Sequence, residues 1–257
     1  MTVGPVGTLQ PVSEQPRTHP RVLVVVPALN EATSVGAVVA ELCSLVDPQV
    51  EVVVIDDGSD DDTAAIAVAA GARVLKMPFN LGIGGAVQAG YQLAHAEGHD
   101  VLVQVDGDGQ HPADQVPLLL RELDAGTANY VIGSRFIAGG YRPSRARQGG
   151  ITLLSKLISA LVGYQVTDTT SGLRAADRAA IAVFAREYPA DYPEAEAIVL
   201  ADRSGLRVSE VAVQMRPREA GQSSITPIRS VYYIVKVSLA VLVRCLGRNP
   251  SRHGEKP

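Results

Sequence analysis

Between Arg21 and Arg135, short runs rich in valine and isoleucine alternate with alanine-rich stretches, and this alternation restricts the possible folds more than any other feature. Five runs have the continuous apolar character of strands buried on both faces: RVLVVVP (21–27), EVVVIDD (51–57), ARVLKM (72–77), DVLVQVD (100–106) and NYVIGSR (129–135). Helices are predicted between them, over 34–46, 60–70, 84–97 and 112–123. Strands that alternate with helices form βαβ units. We therefore predict an α/β fold with a mostly parallel sheet flanked by helices.

Beyond Arg135 the pattern is less regular. The stretch 136–150 is rich in glycine and arginine and contains a proline, which predicts a loop. An amphipathic helix is predicted over 151–162, and the alternation over 207–215 is typical of a half-buried strand. The expected organisation is a disordered leader over 1–20, one α/β domain over 21–226, an amphipathic helix over 227–247 and a polar tail over 248–257.

The helix predicted over 227–247 has an apolar face interrupted by Lys236 and Arg244. A membrane-spanning helix needs about 20 apolar residues with few charges, so this segment is not expected to cross a bilayer. Eight residues separate the two cations, which places them about 80° apart on one broad helix face. This arrangement favours a helix in the membrane interface, its cations facing lipid phosphates. A core or dimer helix is the alternative.

Composition excludes several classes of protein. A net charge of -4 and a pI near 5.7 give no basic surface for nucleic acid, and the chain has no tryptophan for base stacking. The two cysteines, Cys43 and Cys245, are far apart and form no CxxC motif, so neither a disulfide framework nor a structural zinc site is expected. We expect a protein of the reducing cytoplasm.

The string DGDGQHP follows the fourth predicted strand and is the strongest chemical signal. Asp106 and Asp108 are two residues apart and can converge on one face. Two carboxylates about 4 Å apart repel by about 4 kcal/mol at an effective dielectric of 20, and a divalent cation removes that repulsion. Gln110 can offer a third oxygen. An EF-hand loop is excluded because His111 occupies the position that requires glycine, whereas a phosphatase with an aspartyl nucleophile stays open.

Further polar clusters follow the first three strands. VVPALNE (25–31) closes the first, and VIDDGSDDD (54–62) closes the second with carboxylates that can accept hydrogen bonds from a ribose or a nucleobase. NLGIGGAVQAGY (80–91) follows the third but lacks the dinucleotide-binding spacing, because Val87 stands where the motif needs glycine. No phosphate-binding GxxxxGK[ST] motif occurs. Since parallel strands bind ligands beyond their carboxyl ends, we expect one active edge.

In their order, these motifs resemble the family 2 glycosyltransferases, whose fold is the GT-A type. The likeness runs from Arg21 to Ile225 and includes PALNE, DDGS and the DxD motif. Within the family the chain is most similar to polyprenyl-phosphate and dolichyl-phosphate sugar synthases, through NxGxGxAxxxGY, DGDGQHP, GSR (133–135) and DTTSGLRAADR (168–178). The section 191–225 also resembles bacterial lipid-carrier transferases that act beside small membrane proteins. Unlike the dolichyl enzymes, the chain has no tryptophan in its acceptor loop and contains PEAE (193–196).

The resemblance implies an inverting, metal-dependent transfer of a sugar from a nucleoside diphosphate sugar to a polyprenyl phosphate, at the inner face of the cell membrane. It implies nucleotide binding by Pro27, Ala28, Asn30, Glu31, Asp57, Asn80 and Asp106, and Mg²⁺ or Mn²⁺ binding by Asp106, Asp108 and Gln110. It further implies acceptor-phosphate binding by Arg135, Arg142, Arg145, Arg218 and Ser223, with Asp106, Asp108, Arg135 and Asp168 as the catalytic set. The membrane surface and a small membrane protein are the further partners it implies.

Two other functions stay open at this point. One is a glycosyltransferase acting on a hydroxyl of a sugar or small molecule, which would need a general base. Asp168, Glu194 and Glu196 are the candidates for that base. The other is a non-catalytic subunit that binds sugar nucleotides, which the intact set of metal ligands disfavours.

Overall fold

The computed structural model describes residues 20–44, 50–137, 139, 145–190 and 192–216, with the backbone alone for 145–147. In this part of the chain the strands are β1 (Val22–Ala28), β2 (Val50–Asp56), β3 (Arg73–Lys76), β4 (Val101–Gln104), β5 (Tyr130–Ser134), β6 (Arg174–Asp177) and β7 (Val208–Ala212). The helices are α1 (Val35–Cys43), α2 (Thr63–Ala69), α3 (Gly82–Ala96), α4 (Val116–Asp124), α5 (Arg145–Val162), α6 (Arg178–Arg186) and α7 (Pro193–Arg203). A 3-10 turn over Ala113–Gln115 precedes α4.

The seven described strands form one sheet in the order β3-β2-β1-β4-β6-β5-β7. Pairing is parallel except at β6, which runs antiparallel to both β4 and β5. The chain builds outward from β1 to β3 and then returns to place β4 on the other side of β1. The loops after β1 and β4 therefore diverge to opposite faces, which opens a crevice at the carboxyl ends of these two strands.

Each face of the sheet carries its own apolar core, because successive strand residues point to opposite sides. Leu23 and Val25 pack with side chains of α3, α5, α6 and α7. Val24 and Val26 pack with side chains of α1, α2 and α4. All four valine and leucine residues are fully buried, which explains why β1 reads as a continuous apolar run.

The five strands and four helices predicted up to Arg135 are confirmed, with the last of these helices starting as the 3-10 turn. The loop predicted over 136–150 is wrong in its second half, because α5 begins at Arg145 rather than at Ile151. The helix buries Ile151, Leu154 and Ile158. This packing stabilises α5 and outweighs the low helix propensity of Gly149 and Gly150.

Three elements were not predicted: β6, α6 and α7. β6 has the sequence RAAD, without a β-branched residue, and it is held as a strand by its partners on both sides. Residues 1–19 of the predicted leader lie outside the described residues. The helix predicted over 227–247 and the polar tail predicted over 248–257 also lie outside them. No helix within the described residues is both long and apolar enough to span a membrane.

We expect Gly90→Ala to lower the free energy of unfolding by about 1–3 kcal/mol. A β-carbon at Gly90 would lie 2.6 Å from Cγ1 of Val25, and Val25 is a stiff, fully buried strand residue. Gly149→Ala is the matched control, since an added β-carbon there contacts nothing within 4 Å. In α5 that change should raise the free energy of unfolding by about 0.5–1 kcal/mol. Urea unfolding of both variants measures the difference, and equal effects would contradict close packing of α3 on β1.

Candidate active site

A cleft of about 300 Å³ opens at the crevice between β1 and β4. Its walls come from four chain segments: the end of β1, the residue after β2, the first turns of α3 and the loop after β4. The lining residues are Pro27, Ala28, Leu29, Glu31, Asp57, Gly82, Ile83, Ala86, Asp106, Gly107 and Asp108. The expected convergence of three polar strand ends at one edge of the sheet is therefore confirmed.

The loops after β1 and β2 are joined through Asn30. This residue has a left-handed backbone, with φ of 55°, which asparagine tolerates better than most residues. Its backbone N–H donates to Ser59 Oγ at 3.0 Å, and its side-chain Oδ1 accepts from the Asp60 N–H at 2.9 Å. Asn30 thus fixes one loop against the other, and it is not among the residues that line the cleft.

Asp57 and Asn80 hold the start of α3. Asp57 Oδ1 accepts from the Leu81 N–H at 2.7 Å, and Asn80 Oδ1 accepts from the Gly82 N–H at 2.8 Å. Asp57 also lines the cleft, whereas Asn80 does not. Of the predicted nucleotide-binding residues, the cleft therefore brings together Pro27, Ala28, Glu31, Asp57 and Asp106.

Asp106 and Asp108 both face the cleft, as the DxD motif predicts. Burial alone raises the pKa of Asp106, but His111, whose Nε2 lies 3.3 Å from Oδ2, and the charges of Arg135 and Arg174 lower it further than burial raises it. The net pKa is below its ordinary value, so Asp106 is ionised at neutral pH. Asp108 is oriented by its Oδ1, which accepts from the Gln110 N–H at 3.1 Å.

Gln110, the predicted third metal ligand, contacts Arg216 in the segment that follows β7. Its backbone carbonyl accepts from the Arg216 N–H at 2.9 Å, and its Nε2 donates to the Arg216 carbonyl at 3.5 Å. Arg216 in turn pairs with both carboxylate oxygens of Glu41 on α1, at 2.7 and 2.8 Å. Gln110 is not among the residues that line the cleft, and its role as a metal ligand stays a prediction.

These residues fit a divalent cation that arrives with a diphosphate. Mg²⁺ is usually held by one or two carboxylates together with substrate phosphates and water, and Mn²⁺ favours the same oxygen ligands. Asp106 and Asp108 supply ionised oxygens beside a cleft, with glycines between and after them that leave space for a bulky ligand. Asp106, Asp108 and Gln110 are the residues that would hold the ion.

A different acidic group lies at the opposite edge of the sheet. Glu51, Glu97 and His99 form the only trio of potential metal ligands within 4.8 Å of one another among the described residues. Arg73 pairs with both glutamates, at 3.1 and 2.8 Å, so the negative charge is already balanced by a guanidinium. Because Glu51 is near the amino end of β2 and His99 precedes β4, this group is an ion-pair network remote from the cleft.

Arg135 and Asp168 form a buried ion pair next to the cleft. Arg135 Nε and Nη2 donate to the two Asp168 oxygens at 2.6 and 2.7 Å, and the Arg135 N–H donates to Oδ2 at 3.1 Å. Arg135 is 4% exposed and Asp168 is fully buried. Burial raises the pKa of Asp168, but Arg135 opposes it and the net pKa is below its ordinary value. The pair joins the end of β5 to the segment before β6, and the catalytic roles predicted for both residues stay predictions.

The other predicted acceptor-phosphate ligands are placed less completely. Arg145 is the first residue of α5. Arg142, Arg218 and Ser223 lie outside the described residues. Their contact with an acceptor phosphate therefore stays a prediction.

Three residues near Asp106 were not assigned individually from the sequence: His111, Gly172 and Arg174. Arg174 is fully buried; its Nε donates to the Ser171 carbonyl at 2.8 Å and its Nη1 to Tyr130 Oη at 2.7 Å.

Glu194, at the start of α7, is half-buried. Burial raises its pKa, as does the charge of Asp106, while Arg174 and Arg135 oppose the rise. The strings QHP and SGLR were the available signal, but without the fold they do not reveal proximity to Asp106.

The model of the family described as Glycosyl transferase family 2 matches residues 23–184, well over half of the 257-residue chain. An undecaprenyl-phosphate mannosyltransferase of Micrococcus luteus is 34% identical over 218 residues, which cover 80% of this chain and 88% of that protein. A polyprenol monophosphomannose synthase of Mycolicibacterium smegmatis is 31% identical over 226 residues, which cover 82% of this chain and 83% of that protein. A dolichyl-phosphate hexose transferase of Haloferax volcanii is 32% identical over 209 residues, which cover 79% of this chain and 86% of that protein.

Among solved structures, glucosyl-3-phosphoglycerate synthase from Mycobacterium tuberculosis is similar along most of the chain. Its complex with Mn²⁺, UDP-glucose and phosphoglyceric acid superposes with a TM-score of 0.70 at 27% identity. The match covers 90% of this chain and 81% of that one. A complex of the same enzyme with Mn²⁺, UDP and phosphoglyceric acid gives a TM-score of 0.69.

We expect Asp168→Ala to lower the free energy of unfolding by about 3–5 kcal/mol, because it leaves the buried Arg135 charge without its carboxylate. The folded pKa of Asp168 is below the unfolded one, so the wild type carries this stabilisation at neutral pH and loses it as the pH falls below about 4. Urea unfolding at pH 7 and pH 3 should show a large difference between variant and wild type that shrinks on acidification.

The control for Asp168→Ala is Arg178→Ala. The Arg178–Asp100 pair has the same 2.6 Å separation as Arg135 Nε and Asp168, but the Arg178 side chain is 66% exposed. Its loss should cost about 1 kcal/mol or less. Equal costs for the two variants would contradict a role of burial in the Arg135–Asp168 pair.

Proposed function

The chain belongs to glycosyl transferase family 2 and has the GT-A fold, which it shares with the solved structures to which it is similar, and we propose that it transfers a sugar from a nucleoside diphosphate sugar to a polyprenyl phosphate. The observation that carries the proposal is the cleft between β1 and β4, where the DxD carboxylates meet Asp57 and the end of β1. The lipid-phosphate transferases among its relatives support the choice of acceptor.

In the proposed donor complex, the nucleoside lies along the β1 and β2 side of the cleft. Carboxylates accept hydrogen bonds from ribose hydroxyls and from nucleobase N–H groups. Asp57 and Glu31 are the carboxylates on this side, and Pro27 and Ala28 form the adjacent apolar wall. The diphosphate then extends to Asp106 and Asp108, and the sugar lies beyond it.

A bound Mg²⁺ or Mn²⁺ supplies positive charge that stabilises the departing diphosphate. Asp106 contributes a carboxylate that is ionised because His111 and the two nearby guanidinium groups lower its pKa. Asp108 contributes a second carboxylate, and its hydrogen bond from the Gln110 N–H fixes its direction. Gln110 itself is the proposed third protein ligand.

The proposed reaction inverts the configuration at the anomeric carbon. An oxygen of the acceptor phosphate attacks this carbon and forms the new C–O bond, while the bond from the carbon to the diphosphate oxygen breaks. A phosphate monoester is already anionic at neutral pH, so the attack needs no general base. The residues proposed to bind the acceptor phosphate are Arg135, Arg142, Arg145, Arg218 and Ser223, since arginine donors match phosphate oxygens.

We place the reaction at the cytoplasmic face of the cell membrane, where a polyprenyl phosphate presents its head group. The segment 227–247 is the proposed membrane contact, as its apolar residues flank two cations suited to lipid phosphates. A small membrane protein is a further proposed partner.

The direct test incubates the protein with Mn²⁺, membranes that contain polyprenyl phosphate and a panel of labelled sugar nucleotides. We expect acid-labile label in the organic phase for one donor, and none when the lipid phosphate is omitted. Label that enters only the aqueous phase as a new glycoside would overturn the lipid acceptor. Hydrolysis alone with every donor would contradict transferase activity under these conditions.

A hydroxyl acceptor is the second candidate, favoured by the similarity to glucosyl-3-phosphoglycerate synthase bound to phosphoglyceric acid. That reaction would require a base. Asp168 is poorly suited because Arg135 lowers its pKa and occupies both of its oxygens. Glu196 is buried in α7. Glu194 is half-buried, and its pKa is raised by burial and by the charge of Asp106, so we propose Glu194 as the base for this second candidate.

We expect Asp108→Ala to reduce metal-dependent transfer by about 100-fold or more, the scale of removing one group that stabilises developing charge. Asp124→Ala is the control, because Asp124 is exposed at the end of α4. Turnover should be measured across a Mn²⁺ titration, and the control should match the wild type. Normal turnover of Asp108→Ala at limiting Mn²⁺ would refute the assignment of Asp108 to the metal.

A further inference from the structure

The Asp106 carboxylate is enclosed on the sides turned away from the cleft. Gly172, two residues before β6, lies so close that a β-carbon built on it would overlap both carboxylate oxygens. His111 approaches from the loop after β4, with Nε2 at 3.3 Å from Oδ2. The Asp106 side chain keeps 35% of its surface exposed, and Asp106 lines the cleft.

His111 has no other polar role within the described part of the chain. Its side chain is fully buried, and neither ring nitrogen has a hydrogen-bond partner there. Buried polar groups are normally paired, so the approach of Nε2 to Asp106 is the interaction that orients this ring. Because the ring is wholly enclosed, its nitrogens do not reach into the cleft, and His111 is not placed to bind a cation there directly.

Gly172 has no conformational reason to be glycine. Its backbone is not in the left-handed region, so an L-residue can adopt its conformation. What restricts the position is space, since the nearest atoms to an added β-carbon all belong to the Asp106 carboxylate. A methyl group at residue 172 would therefore push that carboxylate out of its present position and leave the backbone in place.

We infer that Gly172 and His111 form a seat that fixes the Asp106 carboxylate in the orientation needed to bind the metal ion of the donor complex. The inference rests on the proposed metal role of Asp106. Both are positioning residues: Gly172 defines how deep the carboxylate lies, and His111 determines the direction of Oδ2. Replacing a residue that orients a metal ligand typically changes metal affinity or activity by about 10- to 100-fold.

The test measures Mn²⁺ affinity by electron paramagnetic resonance of the free ion, in the presence of UDP or GDP. We expect Gly172→Ala and His111→Leu to weaken Mn²⁺ binding by about 10- to 100-fold, with the thermal unfolding of Gly172→Ala close to that of the wild type. His111→Gln retains an amide donor that can reach Oδ2, and it should recover a part of the affinity lost in His111→Leu. Gly149→Ala, the matched glycine control in open space, should bind Mn²⁺ as the wild type does.

The outcomes separate the seat from the proposed function. Wild-type Mn²⁺ affinity in both Gly172→Ala and His111→Leu would overturn the seat alone, as would a lower unfolding temperature with unchanged affinity. Absence of Mn²⁺ binding by the wild type with either nucleotide would overturn the proposed metal-dependent function, and the seat with it. Should Gly172→Ala fail to fold, the comparison of His111→Gln with His111→Leu decides, since equal affinities would contradict a role for the 3.3 Å approach of Nε2 to Oδ2.

Discussion

The reversal of strand order between β1 and β4 is the constraint on which the rest of the site depends. The sheet grows from β1 in one direction through β2 and β3, and the chain then returns to place β4 on the other side of β1. This reversal separates the loops at the carboxyl ends of β1 and β4. One loop carries the PALNE residues, and the other carries the DxD carboxylates. Asp57 follows β2, the next strand outward, and completes the polar wall. The cleft is thus a product of topology, and its chemistry comes from the residues that terminate three strands.

Charge balance around Asp106 is a second condition for the site. A carboxylate that is partly withdrawn from water tends to become protonated, because burial disfavours its charged form. Here His111, Arg135 and Arg174 lower the pKa of Asp106 below its ordinary value. Arg135 is itself paired with Asp168, so the local field depends on a buried pair that is not among the residues lining the cleft. The Arg135–Asp168 pair therefore contributes both to the stability of the fold and to the ionised state of Asp106.

The sequence predicts most of the first half of the fold and less of the second. The strands from β1 to β5 are recognisable because each is a short apolar run that ends in a polar cluster. β6 is not recognisable, since RAAD becomes a strand only when β4 and β5 pair with it. The same tertiary dependence conceals Gly172, whose spatial restriction comes from a residue 66 positions earlier in the chain. Motifs located at strand ends were predictable, whereas contacts that the antiparallel strand brings to them were not.

The carboxyl groups around the cleft bear on the choice of acceptor. A hydroxyl acceptor demands a base whose pKa is near the working pH, and the pairing of Asp168 with Arg135 makes that residue a poor one. Of the two other candidates, Glu196 is buried in α7, whereas the pKa of Glu194 is raised by burial and by the charge of Asp106. Positive charge bound at the DxD motif would weaken this contribution and make Glu194 more acidic in the donor complex, when a base would be used. An acceptor that arrives already ionised avoids this conflict, which is a physical reason to favour a phosphate over a hydroxyl.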